Sequence, residues 1–256
     1  MSDQNKQDVT KRFSTRVDDY VKYRPGYPAE LFDYMQNTMG IEAGQKVADI
    51  GAGTGIFTAL LLERGLEVFA VEPNEPMRLA AEKSLPSAPL HLMDGSAEQT
   101  NLPDHSVDVI VCAQSFHWFD TERAIQEFRR IAGEDGKLAL IWNTRLQTGS
   151  DFLERYEQLL QQFGTDYKEV NHQYMFSQLQ HPVFRDGTMQ RATFINRQVM
   201  DLDGVQGRLR STSYVPSAGE PGYEPLMQEA ERLFNETKQD GVVYMDYETE
   251  VYWGQL

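Results

Sequence analysis

The first two-thirds of the chain alternates short apolar runs with segments of helical pattern, and this alternation constrains the fold more than any other feature. Strands that are apolar almost throughout are typical of parallel sheets covered by helices on both faces. The alternation therefore predicts an α/β, doubly wound, Rossmann-like fold with a mostly parallel sheet. The predicted strands are KVADI (46–50), EVFAVE (67–72), LHLMD (90–94), VDVIVCAQ (107–114) and KLALIWN (137–143).

The rest of the chain divides around this core. Residues 1–45 are predicted to form an N-terminal lid and a lead-in helix that begins near Pro28, and residues 46–145 the ligand-binding core. Residues 146–185 are predicted to be a helical cap insertion, whose first helix follows an N-cap at Ser150 or Asp151. Residues 186–256 supply a strand, two helices and a hairpin-like run that complete the core.

A glycine-rich turn separates the first predicted strand from the first helix. In VADIGAGTGIFT, Asp49 is followed by Gly51, Gly53 and Gly55. Glycine is costly inside an element, so three together favour a tight turn or a backbone that a ligand approaches closely. A dinucleotide fold is the rival, but its G-x-G-x-x-G pattern would need a glycine at Ile56. A plain structural turn is the other alternative.

Acidic residues end the next two predicted strands. Glu72 closes the second strand, where a carboxylate can accept hydrogen bonds from both hydroxyls of a ribose. Asp94 closes the third strand and is followed by Ser96 and Ala97, a turn that can hold an adenine ring. The alternatives are a surface acid for Glu72 and an Asx turn for Asp94. Because the ends of parallel strands share one crevice, these features predict a single nucleotide-like site.

The charge of the chain bears on its partners. Twenty-four Lys and Arg against 39 Asp and Glu give a formal net charge of −15, which argues against a nucleic-acid partner. No apolar run is long enough to span a membrane, and we expect no membrane partner. The one cysteine, Cys112, and a polar N-terminal stretch without a signal segment favour a cytoplasmic protein.

Together these motifs resemble the class I S-adenosylmethionine-dependent methyltransferases. The glycine turn, the second-strand acid and the third-strand DGSAE match that family in order and spacing over residues 46–143. The resemblance implies S-adenosylmethionine as the cofactor. It also implies which residues bind the cofactor's methionine end, its ribose and its adenine: Asp49, Gly51 and Gly53 for the first, Glu72 for the second, and Asp94, Ser96 and Ala97 for the third.

Two further stretches are similar to a narrower group, the type 11 and trans-aconitate methyltransferase-like enzymes of small molecules. They are YVKYRPGYP (20–28) and AQSFHWFD (113–120), and the closing YETEVYWGQL fits the group as well. This resemblance implies a seven-strand sheet in which the last strand is antiparallel. It also implies that the N-terminal segment and the cap form a roof over the pocket.

Residues after the fourth strand are candidates for the chemistry. Gln114 is expected to contact the cofactor, and Trp118 or Phe119 to face its sulfonium, unless these rings pack the next helix against the sheet. His117 is the candidate catalytic base, with a positioning role as the alternative. No metal-ligand spacing is present, so no metal is expected.

The N-terminal segment offers substrate or lid residues. Tyr20, Tyr23 and Arg24 are expected to fold over the site, with Arg24 pairing a carboxylate of the cofactor or the substrate. The alternative is a surface strap anchored by prolines.

The expected function is S-adenosylmethionine-dependent methyl transfer to a small-molecule acceptor by a monomer or homodimer. A carboxylate, hydroxyl or amine acceptor remains open. Two rivals are a non-catalytic S-adenosylmethionine-binding regulatory protein and a nicotinamide-dependent oxidoreductase, which the displaced third glycine disfavours.

Overall fold

The computed structural model describes residues 17–86, 88–164 and 183–256. Its centre is a seven-stranded sheet with the order β3-β2-β1-β4-β5-β7-β6. The strands are β1 (Lys46–Ile50), β2 (Glu67–Val71), β3 (Leu90–Met93), β4 (Val109–Ala113), β5 (Lys137–Arg145), β6 (Gln190–Met200) and β7 (Val243–Gln255).

Eight α-helices lie in the described part of the chain. Two precede the sheet, three connect β1 to β5, and three follow β5. They are α1 (Val17–Tyr23), α2 (Ala29–Asn37), α3 (Ile56–Leu62), α4 (Glu75–Ser84), α5 (Thr121–Ala132), α6 (Asp151–Phe163), α7 (Leu202–Arg210) and α8 (Tyr223–Thr237).

The sheet confirms the predicted fold class. Strands β1 to β5 pair in parallel, and β7 runs antiparallel to both of its neighbours, β5 and β6. The run from residue 241 onward, predicted to be hairpin-like, is instead one long strand. The prediction was wrong because both edges of β7 are already paired with other strands, which leaves no partner for a local turn.

Apolar clusters cover both faces of the sheet. One lies between the sheet and α5, with Phe128 and Trp142 among its fully buried side chains. The other lies between the sheet and helices α2 and α3, and includes Leu31 and Leu61. Burial on both faces explains why the strands are apolar throughout.

Helices α6, α7 and α8 form a third cluster together with β7. Ser150 is the N-cap of α6, and its hydroxyl accepts a hydrogen bond from the Leu153 N–H at 3.2 Å. The described part of the predicted cap is thus packed against elements from residues 202–237. The remainder of that cap, residues 165–182, lies outside the described residues, as do residues 1–16. The division of the chain into four segments stays a prediction.

The carboxyl ends of the parallel strands open into one cavity of about 1150 Å³. Most small-molecule sites measure roughly 300–1,000 Å³, so this cavity is larger than a single ligand of that kind requires. Across residues 17–86, 88–164 and 183–256, no helix is long and apolar enough to cross a bilayer, and no side chains group as a metal site would require.

Candidate active site

The glycine turn after β1 is in the left-handed backbone region at all three glycines, with φ of 72° at Gly51, 59° at Gly53 and 83° at Gly55. A Cβ at Gly51 would lie 2.6 Å from Ser115 Cβ, and one at Gly55 would lie 2.5 Å from Leu85 Cδ1. Gly55 therefore allows a helix to pack closely. Gly51 and Gly53 line the cavity, where they leave the backbone open to a ligand.

Glu72 follows β2 and is held by the glycine turn. Its Oε2 accepts a hydrogen bond from the Gly53 N–H at 2.9 Å, and its Oε1 accepts one from the Asn74 N–H at 2.8 Å. Burial raises the pKa of Glu72, and the two backbone hydrogen bonds oppose that rise. The carboxylate is therefore a fixed acceptor at the cavity wall, with a second lone-pair site left on each oxygen.

Asp49 lies in β1 beneath the same turn and is fully buried. Its Oδ2 accepts a hydrogen bond from the Thr58 hydroxyl at 2.6 Å. Its Oδ1 has no hydrogen-bond partner among the described residues, although the side chain lines the cavity. Burial, together with the nearby charge of Glu72, raises the pKa of Asp49 to about 7 against the opposing effect of the Thr58 hydrogen bond. A buried acceptor without a donor is costly, and an ammonium or hydroxyl group in the cavity would relieve that cost.

The structure separates the residues predicted after β3. Ser96 and Ala97 line the cavity, with the Ser96 N–H donating to the Gln99 carbonyl at 2.9 Å. Asp94 is outside the lining: its side chain is 77% exposed and pairs with Arg78 Nη1 at 3.0 Å. Arg78 belongs to α4, and the ion pair that it forms with Asp94 lies outside the cavity lining.

The loop after β4 places Gln114, His117, Trp118 and Phe119 along the cavity. Gln114 has a φ of 63°, and its N–H donates to the Ile141 carbonyl at 2.8 Å. The Phe119 ring also packs edge-on against Phe128 of α5, so it serves the helix packing as well as the cavity wall.

His117 is oriented by an indole. Trp142 Nε1 donates to His117 Nδ1 at 3.3 Å, and the imidazole is tilted against the Trp118 ring. Because an indole N–H can only donate, Nδ1 is the acceptor, and the neutral imidazole carries its proton on Nε2. The lone pair that a base would use is thus engaged with Trp142.

The three candidate residues of the N-terminal segment do not all line the cavity. Tyr20 and Arg24 line the cavity. Tyr23 does not, because its hydroxyl donates to Asp203 Oδ2 at 2.7 Å and its ring lies against the backbone of Gly207.

Arg24 is held at the cavity wall by the end of α7. Its Nη2 donates to the Ser211 carbonyl at 2.7 Å, and its guanidinium lies over the Tyr20 ring at 4.7 Å. Its Nε is shielded from solvent without a partner among the described residues. Burial lowers the pKa of Arg24, and the positive charge of Arg208 lowers it further.

Sequence reasoning missed the far end of the cavity, which is built by Arg145, Glu157, Arg208, Tyr214 and Tyr247. These residues come from β5, α6, α7, the loop after α7, and β7. No motif joins them, because the fold alone brings them together. The one signal was the short basic sequence GRLR, which places two arginines at the end of a helix.

The family model described as a methyltransferase domain matches residues 48–140. This range holds the glycine turn, Glu72 and the loop after β4. Over these residues the chain is similar to a methyltransferase domain.

Curated proteins that are similar to the chain are also labelled methyltransferases. An uncharacterized methyltransferase of Mycobacterium tuberculosis is 40% identical over 141 residues, which are 55% of this chain and 56% of the relative. An uncharacterized methyltransferase-like protein of Schizosaccharomyces pombe is 36% identical over 157 residues, 61% of this chain and 60% of the relative. The chain thus spans somewhat more than half the length of the curated relatives it matches.

Solved structures match the fold of residues 48–140 and of the residues around them. A putative type II methyltransferase from Anaeromyxobacter dehalogenans aligns with a TM-score of 0.68 at 22% identity, covering 91% of this chain and 98% of that one. A phosphoethanolamine N-methyltransferase of Haemonchus contortus, solved with S-adenosylhomocysteine, aligns with a TM-score of 0.56 at 15% identity, covering all of this chain and 60% of that one. These likenesses show the fold.

Proposed function

We propose that the protein transfers a methyl group from S-adenosylmethionine to a small-molecule acceptor. The observation that carries the proposal is the Glu72 carboxylate, buried at the cavity wall and fixed by the N–H of Gly53 in the glycine turn. A fixed, buried carboxylate beside an open glycine backbone suits a ligand that presents paired hydroxyls. Bound S-adenosylmethionine would supply an electrophilic methyl group on a sulfonium.

The residues at this end of the cavity fit the parts of the cofactor. Glu72 would accept hydrogen bonds from the ribose hydroxyls, and Ser96 and Ala97 would lie against the adenine. Asp49 Oδ1, which lacks a donor among the described residues, would accept one from the cofactor's amino group. Arg24 would pair with a carboxylate, either that of the cofactor or that of the acceptor.

The size of the cavity supports a two-ligand site. Its volume of about 1150 Å³ exceeds that of most single-ligand sites. Methyl transfer needs the attacking atom, the methyl carbon and the sulfur in line, so positioning of the two ligands is most of the catalytic task. The walls around the loop after β4, with Trp118 and Phe119, would exclude water from the reacting groups.

For His117 we propose a positioning role. Proton transfer to Nδ1 would break the hydrogen bond from Trp142, and Nε2 already carries the proton in the neutral ring. His117 would instead use its Nε2–H as a hydrogen-bond donor. An acceptor that is ionised at neutral pH, such as a carboxylate, needs no base.

The sheet argues against the nicotinamide-dependent rival. The usual dinucleotide order is 3-2-1-4-5-6, all parallel, whereas here antiparallel β7 separates β5 from β6. The other rival, a non-catalytic binding protein, would hold S-adenosylmethionine and transfer no methyl group.

Calorimetry with S-adenosylhomocysteine tests the cofactor site. Glu72→Ala should weaken binding by roughly 1–3 kcal/mol, the usual cost of losing hydrogen bonds to a charged group. Glu67→Ala is the matched control, because Glu67 begins the same strand but lies outside the cavity and pairs with His91. Equal affinity in the two folded variants would remove Glu72 from the site.

Turnover needs a second experiment. The protein is incubated with a metabolite extract and S-adenosylmethionine carrying an isotopically labelled methyl group, and labelled products are identified by mass spectrometry. A labelled product that requires the protein supports the enzyme. Cofactor binding without any labelled product would favour the non-catalytic rival.

A further inference from the structure

The far end of the cavity has a cation that the proposed cofactor site does not use. Asp49 and Glu72 make the end beside the glycine turn acidic, which suits a positively charged cofactor. At the other end lies Arg208 of α7, which is only 7% exposed. In a chain with a net charge of −15, a buried cation facing a cavity needs an explanation.

The hydrogen bonds of Arg208 are all to neutral groups in the described part of the chain. Its Nε donates to the Tyr247 hydroxyl at 3.2 Å, and its Nη1 donates to the Ser211 hydroxyl at 3.4 Å. No partner of Nη2 is present among those residues. A guanidinium stays protonated at any pH the protein meets, so the charge of Arg208 cannot be removed by titration.

The nearby carboxylates do not neutralise it. Glu157 forms its ion pair with Arg145, which also lies over the Tyr156 ring. Glu248 lines the cavity without an ion pair to Arg208 among the described residues. The positive charge of Arg24, which also lines the cavity, repels Arg208 rather than compensating it. A buried charge that is left without a counter-ion is strongly unfavourable, and a bound anion would supply one.

The guanidinium is also held in place, as a binding group must be. The Tyr247 hydroxyl that accepts from Arg208 donates to Gln198 Oε1 at 3.1 Å, and Gln198 Nε2 donates to the Tyr23 carbonyl at 2.9 Å. This chain of bonds joins α7, β7, β6 and α1. These bonds fix Nε. The outer edge of the guanidinium is therefore oriented by the fold and not by a charged partner.

We propose that Arg208 is the centre of an acceptor subsite that binds an oxyanionic group, a carboxylate or a phosphate, of the small molecule to be methylated. Ser211, Tyr214 and Tyr247 form its polar surroundings. The subsite rests on the proposed function, since it assigns the far half of the cavity to the acceptor. The planar guanidinium would engage two oxygens of the anion, a geometry that an ammonium group does not offer.

Calorimetry with two simple probes, sodium phosphate and sodium succinate, tests the subsite. Each is titrated into the protein saturated with S-adenosylhomocysteine, at a constant ionic strength set with sodium chloride. The wild-type protein should bind at least one probe saturably, and Arg208→Gln should weaken that binding at least tenfold. Preference for phosphate over succinate, or the reverse, identifies which oxyanion the acceptor carries.

Arg197→Gln is the matched control, because Arg197 is an exposed arginine of β6 that pairs with Asp246 away from the cavity. It should bind the probes as the wild type does. Arg208→Lys keeps the charge and serves if the glutamine variant does not fold; it should bind more weakly than the wild type because the forked geometry is lost.

Three results would overturn the subsite. They are wild-type protein that binds S-adenosylhomocysteine but neither probe, equal probe affinities in Arg208→Gln and Arg197→Gln, and an Arg208→Lys affinity equal to that of the wild type. Wild-type protein that does not bind S-adenosylhomocysteine would instead overturn the proposed function.

Discussion

The buried Asp49 carboxyl should make both the stability of the fold and the affinity for the cofactor depend on pH, and Asp49→Asn tests both. The carboxyl is fully buried, and its pKa is raised from 3.8 to about 7. Between these two values the unfolded chain releases a proton that the folded protein retains, so stability falls as pH rises through this window. Above pH 7 the loss is complete. At 1.36 kcal/mol per pKa unit it amounts to about 4 kcal/mol.

An asparagine keeps the shape of the side chain and can still accept a hydrogen bond from Thr58, but it carries no charge. We therefore expect Asp49→Asn to be more stable than the wild type. The difference in the free energy of unfolding should grow by about 2 kcal/mol between pH 5.5 and pH 8. Urea denaturation at both pH values measures it. A difference that is the same at both would refute the reasoning.

Cofactor affinity should move in the opposite direction. If Asp49 must be ionised to hold an amino group, the wild-type protein should bind S-adenosylhomocysteine about tenfold more weakly at pH 6 than at pH 7.5–8. Asp49→Asn should bind weakly throughout, without that pH dependence. Asp94→Asn is the control, because its exposed carboxylate pairs with Arg78 outside the cavity. A wild-type affinity independent of pH would exclude this role for Asp49.

Two other substitutions test the turn and the imidazole. Gly51→Ala should cost about 1–2 kcal/mol for the left-handed backbone, and a further 1–3 kcal/mol for the contact with Ser115, in urea denaturation. Gly44→Ala is the comparison, since Gly44 has a φ of 87° but open space around it, and equal costs would show that the contact is unimportant. His117→Ala should lower kcat less than tenfold and leave the pH profile of the rate unchanged. A loss of 10²-fold or more together with a missing pH limb would make His117 the base.

The core of the fold was predictable because its signal is local. An apolar run such as residues 46–50 indicates burial on both faces, and the glycines at 51 and 53 indicate a turn whose backbone lies in the left-handed region. Glu72 was predictable for the same reason, since it directly follows a strand. The carboxyl ends of parallel strands all lie along the same edge of the sheet.

The site residues that differ from expectation depend on partners far away in the sequence. Asp94 directly follows β3, but Arg78 of the preceding helix pairs with it. Tyr23 has a partner in Asp203, 180 residues later. Arg208 and Tyr247 form one hydrogen bond across 39 residues, without a shared motif. A single sequence does not state such pairings, because each becomes defined only when the elements that carry the two residues pack together.

The position of β7 determines the order in which the parts of the sheet can form during translation. This strand lies between β5 and β6, and of all the described elements it is synthesised last. Until residues 243–255 emerge, β5 has an open edge and β6 has no place in the sheet. Tyr247, which holds Arg208, arrives with the same strand. The wall beside the glycine turn can therefore form before the opposite wall, and the subsite proposed around Arg208 is completed only when β7 pairs with β5 and β6.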